Sequence, residues 1–389
     1  MNITMRFWIL VLIVSISGFS QGMLLPLIAI IFESGGVSST INGLHATGLY
    51  IGVLIASPFM EGPLRRFGYK PIILVGGILV IASLFAFPLW DSILFWFVLR
   101  LLIGIGDHML HFGTQTWITS FSPEHRRGRN ISIYGLSFGL GFAAGPLVTP
   151  LVEINAALPF IISASISLLA WSTVFFLKNE LPESTDIETT SFFGTMKRFA
   201  KTWNYAWVAF LPPFGYGFLE ASLNGNFPVY ALRTGIDVQS VSILLPAFAV
   251  GSIITQLPLG VLSDKLGRKN ILLIVLLLGF FSFTTASFLE HSVTGLFICF
   301  LIAGMVVGST FSLGISYMTD LVPKGLLPAG NLMCGIFFSF GSISGPLIGG
   351  IFIEYVPGAS FFHIISTMLL CIFFAILSFR RQTLVAINQ

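Results

Sequence analysis

The chain has 389 residues, of which 55% are hydrophobic and only 9% charged, with a net charge of +3 at pH 7. Soluble domains carry about a quarter charged residues, so this composition excludes a soluble core of this length. Cys299, Cys334 and Cys371 all fall in apolar runs, and three cysteines without metal-ligand spacing argue against a disulfide framework and a zinc site.

The first run, "MNITMRFWILVLIVSISGFSQGMLLPLIAIIF", holds one arginine and then a long apolar stretch. It exceeds the about 7–15 residues of a signal-peptide core and lacks a clear cleavage site, which predicts a retained first helix. Stretches near 20 apolar residues mark membrane spans. They predict twelve, at about 7–32, 42–61, 71–90, 92–118, 131–152, 156–177, 204–231, 239–261, 271–289, 294–317, 329–353 and 359–379. The fold class is all-α integral membrane. Between the sixth and seventh spans lies "KNELPESTDIETTSFFGTMKRFAKTWN", residues 178–204. It begins acidic and ends in a short basic amphipathic piece, consistent with a helix on the membrane surface.

The connections alternate in charge. Seventeen of the 19 basic residues, from Arg6 through Arg65, Arg126, Lys178, Lys265 and Lys324 to Arg380 and Arg381, lie on the side of both termini. The opposite side has Arg233, and Arg100 lies within a span. The positive-inside rule then puts both termini in the cytoplasm.

The halves also repeat at an offset of 200 residues: Gly35 with Gly235, Pro58 with Pro258, Gly104 with Gly304, Thr119 with Thr319, Gly141 with Gly341. "GP" at 145–146 matches "GP" at 345–346. A constant offset across equivalent helices predicts two six-helix bundles, 1–177 and 204–389, joined by a cytoplasmic linker at 178–203. Parallel repeats about an axis along the membrane normal are one of the transporter architectures.

"GVLSDKLGRK", residues 260–269, resembles the loop motif of the major facilitator superfamily between spans eight and nine. "RLLIGIG", 100–106, resembles its fourth-helix motif. "GFAAGP", 141–146, and "GSISGPLIGG", 341–350, resemble the Gly-Pro motif of its drug:proton antiporter branch. The resemblance implies twelve transmembrane helices in two pseudo-symmetric bundles. It implies that the first, fourth, seventh and tenth helices line a central cavity, and that Asp264, Arg268 and Lys269 gate the cytoplasmic side. Asp264 is read as following the end of the eighth helix, where it can meet the N-terminal amides of a neighbour. Gly145, Pro146, Gly345 and Pro346 are candidate bend points, since proline leaves a carbonyl unpaired. The first-half loop departs from the pattern: "EGPLRRFGYKP", 61–71, has Arg65 in place of the acid and Tyr69 in place of an arginine. Glu61 is the candidate replacement acid.

A charge at the bilayer centre costs at least ~2.5–3.5 kcal/mol, yet the fourth span carries Arg100, Asp107, His108 and His111. Positions 7 and 11 apart return to within about 20° of one direction, so Arg100, Asp107 and His111 share a stripe, with Asp107 and His111 close enough to touch. The seventh span holds Glu220, Asn224 and Asn226, the first two on one face. Gln21, Ser309, Thr310, Ser312 and Tyr317 are further candidates for the lining. A carboxylate beside an imidazole can load and release protons. A structural knot between helices is the competing reading. A metal site would need a fourth ligand beside Asp107, His108 and His111.

No nucleophile elbow, zincin pair or Ser-His arrangement is evident, so the reading is a transporter rather than an enzyme, with no cofactor, no metal and no nucleic acid. The expected partners are protons, the lipid bilayer and a small-molecule substrate, handled by a monomer in a bacterial cytoplasmic membrane. The leading function is proton-coupled export of small lipophilic compounds; the alternative is a proton-linked or facilitative carrier of a specific metabolite. The charge alternation makes a direct prediction. In whole cells, Gly35→Cys, Gly235→Cys and His291→Cys are expected to react with an impermeant thiol reagent. Protection of all three would reverse the orientation.

Overall fold

A computed structural model describes residues 3–182 and 192–379; Arg380, Arg381 and linker residues 183–191 lie outside the described residues. The described chain is helical throughout its length. Its α-helices are α1 (Ile3–Ser34), α2 (Ser39–Ala56), α3 (Glu61–Phe67), α4 (Tyr69–Ala86), α5 (Ile93–Phe121), α6 (Glu124–Ala144), α7 (Leu158–Ser172) and α8 (Phe192–Ala206). The second half continues with α9 (Leu211–Gly225), α10 (Phe227–Arg233), α11 (Val238–Leu266), α12 (Arg268–Phe288), α13 (Val293–Val307), α14 (Thr310–Leu321), α15 (Leu327–Tyr355) and α16 (Phe362–Ser378).

Among the described residues, nine helical segments are long and apolar enough to cross a membrane, and α2 with α3, bent by 57°, makes a tenth. The other two expected spans have physical reasons for falling short. The seventh is broken at Asn226 into α9 and α10, and the twelfth, α16, is a 17-residue helix. Expected and observed spans otherwise agree to within several residues, and α8 leads into the seventh. Large hydrophobics such as Leu94, Leu169, Leu257 and Phe288 are exposed on the outer faces, where a soluble protein would carry charge.

Two apolar cores hold the chain together. One draws on buried residues from Phe7 to Leu177, the other on residues from Ala206 to Ile376. Within each core the same helix pairs press backbone to backbone. A Cβ on Gly104 would collide with the Leu49 carbonyl, and one on Gly304 with that of Phe248; Gly141 meets Ser15 as Gly341 meets Phe214. The repeated glycines therefore mark close crossings between helices, where small residues let backbones approach.

The two Gly-Pro pairs behave differently. In the fifth span the α-helix stops at Ala144 and tightens into a 3-10 stretch, Gly145–Glu153. In the eleventh, α15 runs on through Gly345 and Pro346.

The halves meet at the end that carries loops 35–38, 234–237 and 356–361. There the Asn42 side-chain amide donates to the Gly225 carbonyl at 2.7 Å, the Thr40 backbone N–H donates to Glu354 at 2.9 Å, and Arg233 forks onto Glu33 at 2.8 and 3.0 Å. The seam is tight: a Cβ on Gly43 would collide with the Pro346 carbonyl, and one on Gly350 with that of Ser39. Among the described residues, the hydrogen bonds and ion pairs that join the halves lie at this end, and the opposite end has none. One end is shut and the other stands open.

Gly43→Val forces a branched side chain into this seam. Overpacking costs about 1–3 kcal/mol, and a kcal/mol or two shifts a two-state ratio about 5–30-fold. Ser39→Cys is expected to react faster with a thiol reagent in the Gly43→Val background than alone; an unchanged rate would mean that the seam does not hold this end shut.

Candidate functional site

Between the halves lies a cavity of about 180 Å³, walled by α6 and the 3-10 stretch after it, α9, α11 and α14. Tyr216, Phe138, Phe142, Phe248 and Phe311 give it an aromatic surface, with Ser252, Gln256, Ser312 and Asn224 as polar points. Among the described residues Glu220 is the one charged group on the wall. The amide of Asn224 donates to the Glu220 backbone carbonyl at 2.8 Å and not to its carboxylate, so the acid faces the cavity uncommitted to that neighbour. Helix α9 reaches this position because Pro212 and Pro213 open it, where a missing N–H costs nothing, and Asn226 breaks it beyond Gly225. The Asn226 amide donates to the Pro346 carbonyl at 3.0 Å, pinning the break.

The wall shares the seventh and tenth spans with the expected lining. Among the described residues, spans five, seven, eight and ten line this cavity, and spans one and four do not reach its wall. Of the tenth-span candidates Ser312 is on the wall, whereas Thr310 turns its hydroxyl to the Val307 carbonyl at 2.6 Å. The fourth-span residues stand behind it.

Asp107 is 1% exposed and off the wall. Ser17 of α1 donates to its Oδ1 at 2.7 Å, and the same hydroxyl lies 3.4 Å from His111 Nε2 and 3.4 Å from the Gln21 amide. His111 Nδ1 is 2.9 Å from the Tyr134 hydroxyl, which is 3.1 Å from that of Thr114. Asp107 and His111 are thus joined through Ser17 rather than directly. The donors order themselves: Ser17 gives its proton to Asp107, so its oxygen can accept from Nε2–H, leaving Nδ1 to accept from Tyr134. The result is a continuous hydrogen-bonded row from Tyr134 to Asp107. His108 does not join it; the ring stacks on Phe112 at 6.3 Å.

Arg100, on the same helix, is fully buried. Its Nη2 reaches the Leu24 and Leu25 carbonyls at 3.3 and 3.5 Å, next to Pro26 in α1. Nε and Nη1 have no partner among the described residues, and no acid pairs with it there. A buried cation with so few partners is held at a cost.

At the open end, Asp264 lies inside the last turn of α11 and does not follow the helix. Its carboxylate takes Arg268 at 3.2 Å rather than the amides of another helix. Arg268 ties this turn to the end of α14 through Asp320 at 2.8 Å, the Ser316 carbonyl at 2.7 Å and Thr319 at 2.8 Å. Lys269 donates to the Phe379 carbonyl at 2.9 Å. In the first half Glu61 closes on Arg65 one turn away. The acid that anchors this region is Glu180, which pairs with Arg6 and accepts the Trp117 indole N–H at 2.8 Å, while Tyr69 stacks on Trp117 at 5.3 Å. Tyr69 replaces the motif's arginine with an aromatic contact to the corresponding helix.

Sequence reasoning missed Ser17, Tyr134, Phe138 and Glu180. Three of them sit in apolar or aromatic surroundings that look like ordinary helix packing, and Glu180 sits in a polar linker. Only the periodicity of α6, which sets Tyr134 and Phe138 on one face at a spacing of four, carried a signal.

The hydrogen-bonded row makes a prediction. Ser17→Ala removes the donor to Asp107, and an orphaned buried acceptor costs about 1–3 kcal/mol. A lowered melting temperature of the purified protein is expected; an unchanged one would mean that Ser17 does not satisfy Asp107.

The model of the Major Facilitator Superfamily matches residues 10–233 and 214–386. An uncharacterised MFS-type transporter of Bacillus subtilis, YfkF, is 62% identical over 372 residues, 95% of this chain and 94% of that protein. Multidrug resistance protein 1 of Bacillus subtilis is 26% identical over 369 residues, covering 91% of this chain and 90% of that one. Among solved structures the nucleoside transporter NupG superposes with a TM-score of 0.79 at 14% identity, over 98% of this chain and 100% of that chain.

Proposed function

The chain belongs to the major facilitator superfamily and is a membrane transporter of it, and from that premise we propose that it exports small lipophilic or amphiphilic compounds in exchange for protons, by alternating access. The observation that carries this reading is Glu220, a carboxylate on an aromatic wall between the two halves. A carboxylate there can hold a proton or the polar or cationic head of an amphiphile, but not both. That exclusion couples the two fluxes, and the surrounding rings supply apolar and cation–π contact for the rest of the compound. Asp107, with His111, Ser17 and Tyr134, forms a second proton-holding group behind the wall.

The two cores support halves at 1–177 and 204–389 that rock about the cavity, with 178–203 as the link between them. The charge bias supports cytoplasmic termini. With that orientation the shut end faces outside and the cavity opens to the cytoplasm of a bacterial cell, the side from which an exporter loads. Asp264, Arg268 and Lys269 stiffen the cytoplasmic end of the second half, as Glu180 does in the first. A relative named for multidrug resistance supports export of this kind.

Glu220→Gln keeps the shape and the amide hydrogen bonding and removes titration. In proteoliposomes with an imposed proton gradient, the variant is expected to lose uphill accumulation of lipophilic cations while retaining downhill exchange. Undiminished accumulation would end the assignment of Glu220.

A further inference from the structure

We infer that α8 binds the anionic phospholipids of the leaflet at the end opposite the seam, with Lys197 and Lys201 taking the headgroup phosphates. This helix, Phe192–Ala206, carries Lys197, Arg198 and Lys201 and no acid. At 100° per residue, Lys197, Lys201 and Asn204 fall on one stripe, and Met196, Phe199 and Trp203 fall on another. The stripes have different neighbours. Phe199 packs against the core of the second half, and Trp203 stacks on Phe337 of α15 at 5.5 Å. Trp203 is nevertheless 40% exposed and Met196 44%. Lys197 and Lys201 are exposed, and neither has a hydrogen bond or ion pair among the described residues. Arg198 is engaged: it donates to the Gly325 carbonyl at 2.8 Å, in the turn before α15. Lys324, the residue before that carbonyl, is exposed and adds a third ammonium at the same level.

The depth of α8 matches that of lipid headgroups. From Leu211 to Arg233 the seventh span is long enough, at about 1.5 Å per residue, to cross ~30 Å of hydrocarbon, so the chain ahead of Leu211 lies at the boundary. Ala206 has φ −146° and ψ 26°, outside the helical range, so α8 is not a straight extension of the span. Trp207 meets Phe379, at the end of α16, edge-on at 6.1 Å, which sets this break level with the end of the last span. Trp203 and Trp207 are both exposed there, and tryptophan is the residue type that settles at a membrane–water boundary. An amphipathic helix with lysines on its polar face is drawn to anionic lipid by charge and by apolar burial together. Two free ammoniums one turn apart are matched by the phosphates of such a leaflet. Phe199, Trp203 and Arg198 fasten α8 to the second half, so lipid that holds this helix holds that half.

The test counts lipids bound to the full-length protein by native mass spectrometry, in detergent with phosphatidylglycerol or with phosphatidylcholine of the same chains. The native protein is expected to prefer phosphatidylglycerol. Lys197→Gln is expected to weaken that lipid about fivefold, and Lys201→Gln added to it about fivefold again, with phosphatidylcholine unchanged. Lys197→Arg with Lys201→Arg is expected to keep the preference, because the charge stays. Lys265→Gln, which removes an exposed lysine at the end of α11, is the control and is expected to change nothing. Equal affinity for the two lipids in the native protein overturns the inference. So does a loss in Lys265→Gln as large as in the double glutamine variant, since diffuse attraction to that end would then suffice. Displacement of the lipid by inorganic phosphate, beyond that by chloride at equal ionic strength, overturns the lipid in favour of a free anion.

Discussion

Helices in this chain touch backbone to backbone, and that constraint organises everything else. In hydrocarbon there is no hydrophobic gain from bringing two apolar helices together, so close packing must supply the attraction. Gly104 against Leu49 and Gly141 against Ser15 build the first half; Gly304 against Phe248 and Gly341 against Phe214 build the second in the same way. Each half is thereby stiff. The seam between the halves uses the same device, Gly43 against Pro346 and Gly350 against Ser39, but adds polar contacts that water can replace: Asn42 to Gly225, Thr40 to Glu354 and Arg233 to Glu33. Buried Ser39, Thr40, Asn42 and Ser222 atoms near this seam have no partner among the described residues. Hydrating them if the seam opens would offset part of the packing that is lost.

Burial sorts the ionisable groups into two kinds. Glu220 meets the space between the halves, in contact with whatever enters it. Asp107 and Arg100 are sealed inside the first half and are answered by hydroxyls and carbonyls rather than by opposite charges. Because a charged group in such surroundings is held at a cost, each is ready to exchange its proton or its partner when the surroundings change. Phe138 of the aromatic wall touches His111 of the fourth span.

Much of this architecture was legible in the residues. Apolar stretches located the spans, and the 200-residue offset of Gly104 with Gly304 and Gly141 with Gly341 announced the repeat. Those signals are local or periodic, and a single sequence carries them in full. The site was less legible. Helical spacing put Asp107 and His111 on one stripe and made them neighbours, but whether they touch depended on Ser17, which arrives from another helix 90 positions earlier. Helix spacing says which face a residue occupies and not what that face meets, so the places of spans five and eight on the cavity wall were not legible. Asp264 was read as lying past the helix end, whereas Arg268 one turn on draws its carboxylate back along α11. Glu180 lay in a polar linker that gave no hint of Arg6 and Trp117.

The central claim is that two stiff halves rock about the cavity that holds Glu220. Its most direct test is a set of three distances in one protein, measured with paired spin labels in liposomes as the proton gradient and substrate are varied. One pair spans the shut end, at Ser38 and Val356. A second spans the open end, at Gly128 and Gly335. The third stays within a half, between α4 and α7. The account predicts that the first distance lengthens as the second shortens, while the third holds constant. Ends that open and close together, or helices that separate within a half, would contradict it.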